Sequence, residues 1–286
     1  MSEPVRLAMV GAGWWAWTAH LPSMRDDPGI ELATVCDPDP TRAHQAAAEF
    51  GGEASTDLAA TLRDDTLDGV VVATPHHTHA SVVAAALAAG RHVLVEKPMV
   101  LRAVDAWELV ETARARSLHL SVGLTYQYAD VALPIRDAVQ HEIGELVCVN
   151  ADFPSGTAAL FARTDPDQDH LDDPASPHGT TFSNPATGGG QAYSQLTHLL
   201  GAVCFAAQDQ AVDVAAMTAD HGFAVDAVDA LVFRLSRGAL GVASSTATTP
   251  TGVEPGQPIR FHGTAGMVEW ELTTGTGTIR TASGVR

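Results

Sequence analysis

The chain has 286 residues, 45% of them hydrophobic, and carries 34 acidic against 16 basic residues for a formal net charge of −18. That length suits about two domains, each with a core of its own. The charge repels phosphate backbones and anionic lipid, so neither a nucleic acid nor a membrane is an expected partner.

The segment MSEPVRLAMVGAG runs straight into a first strand, so a cleaved signal peptide is not expected. Apolar runs such as VVAAALAAG fall short of a membrane span. Val5–Val10, Ile30–Cys36, Gly69–Ala73, His92–Val95 and Leu118–Leu124 are short apolar runs bounded by turn residues, the pattern of strands buried on both faces. Between them, Thr41–Phe50, Asp57–Arg63, Thr78–Ala89 and Val104–Arg116 favour helix, with Gly51-Gly52 and Gly90 in helix-stopping positions. This alternation predicts a doubly wound parallel sheet, an α/β Rossmann domain, over residues 1–122.

From residue 123 the pattern changes. A helix over Val131–His141 leads to a strand at Leu146–Phe153, and then to a long loop over Pro154–Thr187 rich in Asp, Pro, Thr and Gly. A helix from Gly190 to Ala207 follows. Strands are predicted at Val212–Thr218, Ala230–Leu235, Ala239–Thr246, Ile259–His262, Met267–Leu272 and Thr278–Thr281. Strands in series after a helix imply an α+β domain with an open, mostly antiparallel sheet over 123–286. The three cysteines, Cys36, Cys148 and Cys204, are far apart with no CxxC pair, which suits buried thiols in a reducing cytoplasm better than a disulfide framework or a zinc site.

Four motifs carry chemistry. Gly11-Ala12-Gly13-Trp14-Trp15-Ala16 is a GxGxxA following a strand, where glycines allow a tight turn, close approach of a pyrophosphate, and anion binding at a helix N-terminus. Asp37 ends the second apolar strand 24 residues after Gly13, close to the ~20-residue spacing of a carboxylate on the adenosine ribose. A carboxylate there repels a 2′-phosphate, so NAD is favoured over NADP. The competing assignment for Asp37 is a helix N-cap, and Arg42 is a cation within reach of a phosphate.

The second motif, Thr74-Pro75-His76-His77-Thr78-His79, lies at the carboxyl end of a strand, where open sheets bind ligands. Adjacent His76 and His77 do not readily face one ion, so the loop is expected to line the cofactor and no metal is expected. In the third, Glu96-Lys97-Pro98, a partly desolvated Lys97 suits proton transfer. In the fourth, Gly188-Gly189-Gly190 opens a helix on which Gln191, Ser194, Gln195 and His198 form a polar stripe aimed at a pocket.

Together VGAGWWAWTAHLPSM, VCDPDPTRA, VVVATPHHTHA, AAGRHVLVEKPM, GGGQAYSQLTHLL and FHGTAGMVEWE resemble the glucose–fructose oxidoreductase, inositol dehydrogenase and MocA family, in the family's order across residues 5–272. The resemblance implies a Rossmann domain followed by an α/β domain whose open sheet makes homo-oligomer contacts. It also implies NAD(P)-dependent oxidation or reduction of a sugar, cyclitol or related polyol. It makes Lys97 and His198 catalytic, and Ser194 or Tyr193 is expected to assist. It puts Gly11, Gly13, Trp14, Trp15, Ala16, Asp37, Thr74, Pro75, His76, His79, Glu96 and Lys97 on the cofactor, and Tyr126, Gln191, Tyr193, Gln195 and His198 on the substrate.

Serine at 194 departs from the aspartate common in the family and cannot hold a negative charge beside His198. The chain ends soon after Glu271, where many relatives continue, so the expectation is either a missing last sheet strand or a truncated sequence. Phe161, Arg163, His170 and His178 of the long loop are expected to cover the sugar, the competing assignment being a solvated loop. Two rival functions use the same residues: a lyase or glycoside hydrolase that returns the hydride to its substrate, and a nucleotide-sensing regulator without catalysis.

Overall fold

The computed structural model describes residues 3–162 and 181–286, which form two compact units. Among the described residues the first unit holds 3–123 with 181 and 186–188, and the second holds 124–162, 182–185 and 189–286.

The first unit is built on β1 (Val5–Val10), β2 (Ile30–Cys36), β3 (Glu53–Ser55), β4 (Gly69–Val72), β5 (His92–Val95) and β6 (Leu120–Val122). Every neighbouring pair is parallel, in the order β3-β2-β1-β4-β5-β6. The order reverses between β1 and β4, which places the ligand crevice of such a sheet at their carboxyl ends. Successive β1 residues serve opposite faces: Val10 packs with Val72, Val83, Leu87 and Val95, and Met9 packs with Leu21, Met24, Val35 and Val71. Burial on both faces toward their carboxyl ends is why these strands read as largely apolar, with Arg6 and Glu31 confined to the less buried amino ends of β1 and β2. The helices are α1 (Leu21–Asp26), which continues a π-helical turn at Ala16–His20, then α2 (Pro40–Phe50), α3 (Leu58–Leu62), α4 (His79–Ala88) and α5 (Ala103–Ala115). The three-residue β3, Glu-Ala-Ser, is too short and polar to show a period and was not among the predicted strands.

The second unit opens with α6 (Ala132–His141) and β7 (Leu146–Pro154), followed by the short α7 (Ala158–Phe161). A π-helix at Ala192–Leu196 runs into α8 (Thr197–Ala207). Then come β8 (Ala211–Ala219), β9 (Val228–Leu235), β10 (Leu240–Thr246), β11 (Pro258–Gly263), β12 (Gly266–Glu271), β13 (Thr276–Thr281) and β14 (Gly284–Val285). The sheet order is β14-β13-β12-β11-β7-β10-β9-β8, antiparallel except for the β7–β10 pair.

One sheet face packs on the helices. Leu231, Phe233 and Leu235 of β9 and Phe261, Val268 and Trp270 join Ile135, Val139, Leu199 and Val203 in one core. The opposite face is bare and apolar at the β8 end, where Met217 is 81% exposed, Val232 54%, Leu240 52% and Val242 46%. Cys36, Cys148 and Cys204 are free thiols. Among the described residues no helix is long and apolar enough to cross a membrane.

Candidate active site

The glycine turn of the first unit is forced by its surroundings. Gly11 has φ = 94°, and a Cβ there would stand 2.6 Å from the Ala73 carbonyl oxygen, so only glycine lets β1 turn this close to the end of β4. Just beyond it, the Ala12 N–H donates to Asp37 Oδ2 at 2.8 Å, and the π-helical turn begins at Ala16. A side-chain-free turn feeding a helix start at the sheet's switch point is the shape a pyrophosphate requires, so these residues fit a dinucleotide.

Asp37 is 4% exposed. Besides the Ala12 amide, its Oδ1 accepts the Asp39 N–H at 2.9 Å and the Arg42 guanidinium at 2.9 and 3.2 Å. The cap of α2 is Asp39, which accepts the Thr41 and Arg42 amides, so Asp37 ties the glycine turn to Arg42 instead of capping the helix.

The histidine loop is built inward. His76 is 6% exposed and its Nδ1 lies 2.8 Å from the Gly188 carbonyl. Burial pushes it down to about 4, so it is neutral near pH 7. His79 is fully buried, with Nδ1 2.8 Å from the Pro98 carbonyl and Nε2 2.9 Å from that of Thr74. Burial lowers its pKa as well. A neutral ring donates to one of these carbonyls at a time, so the structure places His79 as a brace between the loop after β4 and the turn at Lys97-Pro98. The Thr78 hydroxyl donates to Thr74 Oγ1 at 2.7 Å, and Pro75 precedes the turn His76–Thr78. Among the described residues no group of three His, Cys, Asp or Glu side chains is arranged to hold a metal ion.

Glu96, 9% exposed, is the hub of the unit. Its Oε1 accepts the Trp15 indole N–H at 2.9 Å and lies 2.8 Å from His20 Nε2, and its Oε2 accepts the Lys97 backbone N–H at 3.1 Å. Burial opposes its ionisation, but His20 and the Lys97 charge prevail and hold its carboxyl below the usual range. Lys97 feels the reverse balance: desolvation pulls its ammonium below the ordinary lysine value, and the Glu96 charge only partly offsets that. His20 escaped the sequence reading, because nothing at its position signals a partner 76 residues away.

In the second unit the Gly190 N–H donates to the Phe182 carbonyl, and the Asp226 carboxylate fills the space a side chain at 190 would occupy. Gln191 is fully buried. Its Oε1 accepts the Thr157 hydroxyl at 3.0 Å, and its Nε2 donates to Ser155 at 3.1 Å and Ser245 at 2.7 Å. The structure therefore places Gln191 as a junction between the helix start, β10 and the segment after β7. Ser194 is also fully buried, and its N–H donates to the Gly190 carbonyl at 3.0 Å. Tyr193, Gln195 and His198 are half-buried. The π-helical turn changes the angular spacing along the helix, so the four-residue interval between Ser194 and His198 does not leave them equally accessible. The His198 ring stacks on Phe153 at 6.3 Å between centroids and meets Tyr126 edge-on at 5.8 Å. The Tyr126 hydroxyl donates to Gln257 at 3.2 Å, and burial pushes its phenol pKa up. Phe161 is buried with Val225, Ala227 and Ala247 in a small core. Arg163, His170 and His178 lie outside the described residues.

Comparison with known proteins bears on both units. Residues 5–124 match the model of an oxidoreductase family with an NAD-binding Rossmann fold, and residues 135–269 match the GFO/IDH/MocA C-terminal domain. The dTDP-3,4-didehydro-2,6-dideoxy-alpha-D-glucose 3-reductase of Saccharopolyspora spinosa is 36% identical over 147 residues, 51% of this chain and 44% of that protein. The 1-carboxy-3-chloro-3,4-dihydroxycyclo hexa-1,5-diene dehydrogenase of Comamonas testosteroni is 29% identical over 211 residues, 73% of this chain and 49% of that protein. The matched stretches span about half the length of these curated relatives. The crystal structure of GenD2 from gentamicin A biosynthesis in complex with NAD superposes with a TM-score of 0.78 at 27% identity, covering 95% of this chain and 73% of that one. An inositol dehydrogenase homolog from Azotobacter vinelandii, complexed with NADH and myo-inositol, shares the fold with a TM-score of 0.81 at 22% identity, over 100% of this chain and 76% of that one.

Proposed function

The chain belongs to the GFO/IDH/MocA oxidoreductase family, and from that premise we propose that it transfers a hydride between a nicotinamide dinucleotide and a secondary carbinol of a sugar, cyclitol or related polyol. NAD is the favoured dinucleotide. The observation that carries the reading is Lys97: a desolvated ammonium of lowered pKa on a residue whose backbone N–H is held by Glu96 just past the carboxyl end of β5, in the same unit as a glycine turn that only glycine can make.

The dinucleotide supplies the hydride chemistry when bound. The turn at Gly11 and Gly13, with the helix start at Trp14, Trp15 and Ala16, holds its pyrophosphate. Thr74, Pro75 and His76 line its nicotinamide half. Lys97 takes the hydroxyl proton as the alcohol is oxidised and returns it on reduction, and desolvation, by lowering its pKa, favours the neutral amine that takes the proton. In the second domain, His198 on its aromatic platform, with Tyr193, Gln195 and Tyr126, recognises the polyol, and Ser194 assists from the buried side. The protein works in the cytoplasm as a homo-oligomer assembled through the bare apolar face of β8, β9 and β10. The three free thiols and the exposed Met217, Val232, Leu240 and Val242 support that assignment.

The test is a panel of inositols, hexoses, aminosugars and sugar acids followed at 340 nm with both dinucleotides. Net reduction of NAD by at least one polyol is expected. Product release without net NADH would assign the lyase or hydrolase reaction instead, and dinucleotide binding without any turnover would assign the sensor.

Cofactor choice gives a second expectation. Asp37→Ser removes the carboxylate and frees Arg42 for a 2′-phosphate, so NADP binding should tighten ~10-fold, about 1.4 kcal/mol, while NAD binding weakens by a similar factor. Titration of both dinucleotides against tryptophan fluorescence reads this directly. A parallel loss of both affinities would mean that Asp37 only braces the turn.

A further inference from the structure

Asp229 lies in β9 on the sheet face that packs against the helices and is 1% exposed. Neither of its carboxyl oxygens receives an N–H or hydroxyl hydrogen among the described residues. Its polar neighbour is a second carboxyl, that of Asp226, within hydrogen-bonding reach. Asp226 is fully engaged at the start of the π-helix. Its Oδ2 accepts the Ala192 N–H at 2.7 Å, its backbone carbonyl accepts the Gln191 N–H at 2.9 Å, and its side chain fills the space beside Gly190.

Two carboxylates this close in a buried setting do not both ionise. Asp229, 1% exposed and with neither oxygen receiving a hydrogen, is the carboxyl that burial keeps protonated, and Asp226 offers it an acceptor. Burial first, and the Asp226 charge second, push Asp229 up to about 7. The residues directly opposite Asp229 on β8 and β10, Thr218 and Ser245, do not titrate. On the π-helix packed against β9 the titratable side chain is Tyr193, and His198 follows at the start of α8.

We propose that Asp229 is a positioning residue: protonated, it donates to Asp226 and so fixes the Gly190–Ala192 turn and the helix that carries Ser194 and His198. Ionised, it repels Asp226 and loosens that turn. This deepens the proposed function, because it assigns the geometry of the substrate-side helix to a proton that the sequence motifs do not announce. The sign follows from linkage. An acid whose folded-state pKa lies above its unfolded value contributes stability that is complete at low pH and is lost as pH rises through the folded value, here from about 4 to about 7.

Hydrogen–deuterium exchange of the full chain tests the proposal without requiring turnover. The wild type, Asp229→Asn and Asp229→Ala are compared at roughly pH 5.5 and pH 8.5, corrected for intrinsic rates, with melting temperatures recorded alongside. In the wild type, protection of residues 190–198 should fall ~10-fold or more at the higher pH, one factor of ten per 1.4 kcal/mol. Asp229→Asn, whose amide donates at either pH, should keep its protection at both, and its melting temperature should not show the wild type's decline with pH. Asp229→Ala should lose protection at both. Wild-type protection that does not change with pH, or an asparagine variant as unprotected as the alanine one, overturns the proposal. Absence of nicotinamide turnover would overturn the function instead and leave the exchange result standing.

Discussion

Replacing Lys97 with methionine is expected to lower kcat/KM by ~10³-fold or more, within the range for removing a positioned acid–base group, while dinucleotide affinity stays close to wild type. Methionine keeps the length and apolar body of the side chain and removes the proton carrier, so packing beneath the turn survives. Steady-state kinetics and equilibrium dialysis on the same preparation separate the two effects. The pH profile gives a sharper form of the expectation. In the proposed mechanism alcohol oxidation requires neutral Lys97, so its rate should rise with pH through the lysine pKa, which burial holds below the ordinary value. Glu96 is the charge opposing that depression. Glu96→Gln should therefore move the rising limb to lower pH. A methionine variant of normal rate would remove Lys97 from the chemistry, and a limb that moved upward in Glu96→Gln would reverse the electrostatic assignment.

Met217→Glu combined with Val232→Glu is expected to convert the proposed homo-oligomer into monomers. The two residues stand on neighbouring strands β8 and β9, 81% and 54% exposed, on the face that no helix covers among the described residues. Leu240 and Val242 of β10 extend the same apolar surface, and Val242 lies directly opposite Val232. In a two-fold interface each substitution occurs twice. A buried, unpaired carboxylate costs several kcal/mol, so the dissociation constant should rise by at least ~10³-fold. Sedimentation velocity over a concentration series reads this. A wild type that sediments as a monomer at high concentration would show that this face has another use.

The first domain was largely legible because its strands are buried on both sides. Val5–Val10 and Ile30–Cys36, apolar apart from Arg6, Glu31 and Thr34, are strands with the same bounds in the structure. What escaped depends on geometry without a local signature. Both glycine motifs lead into π-helical turns, Ala16–His20 and Ala192–Leu196, and nothing in apolar periodicity separates these from ordinary helix. The pairing of Glu96 with Trp15 and His20 joins residues far apart in the chain, and only folding reveals it. Gln191 read as one of a polar stripe aimed at a pocket, whereas its amide is used up inside the sheet. Asp229 sits in an alternating strand where an inward position calls for an apolar side chain, and that break in pattern is the trace of its unusual role.

The buried carboxamide at 191 has a consequence for how such a protein diversifies. Its oxygen must face a hydroxyl hydrogen from Thr157, and its nitrogen must face the oxygens of Ser155 and Ser245. A glutamate of the same shape would set a second acceptor against two hydroxyls already turned to receive a hydrogen, and a leucine would strand all three. Descendants of this chain that acquire new substrates are therefore expected to inherit 155, 157, 191 and 245 as a set.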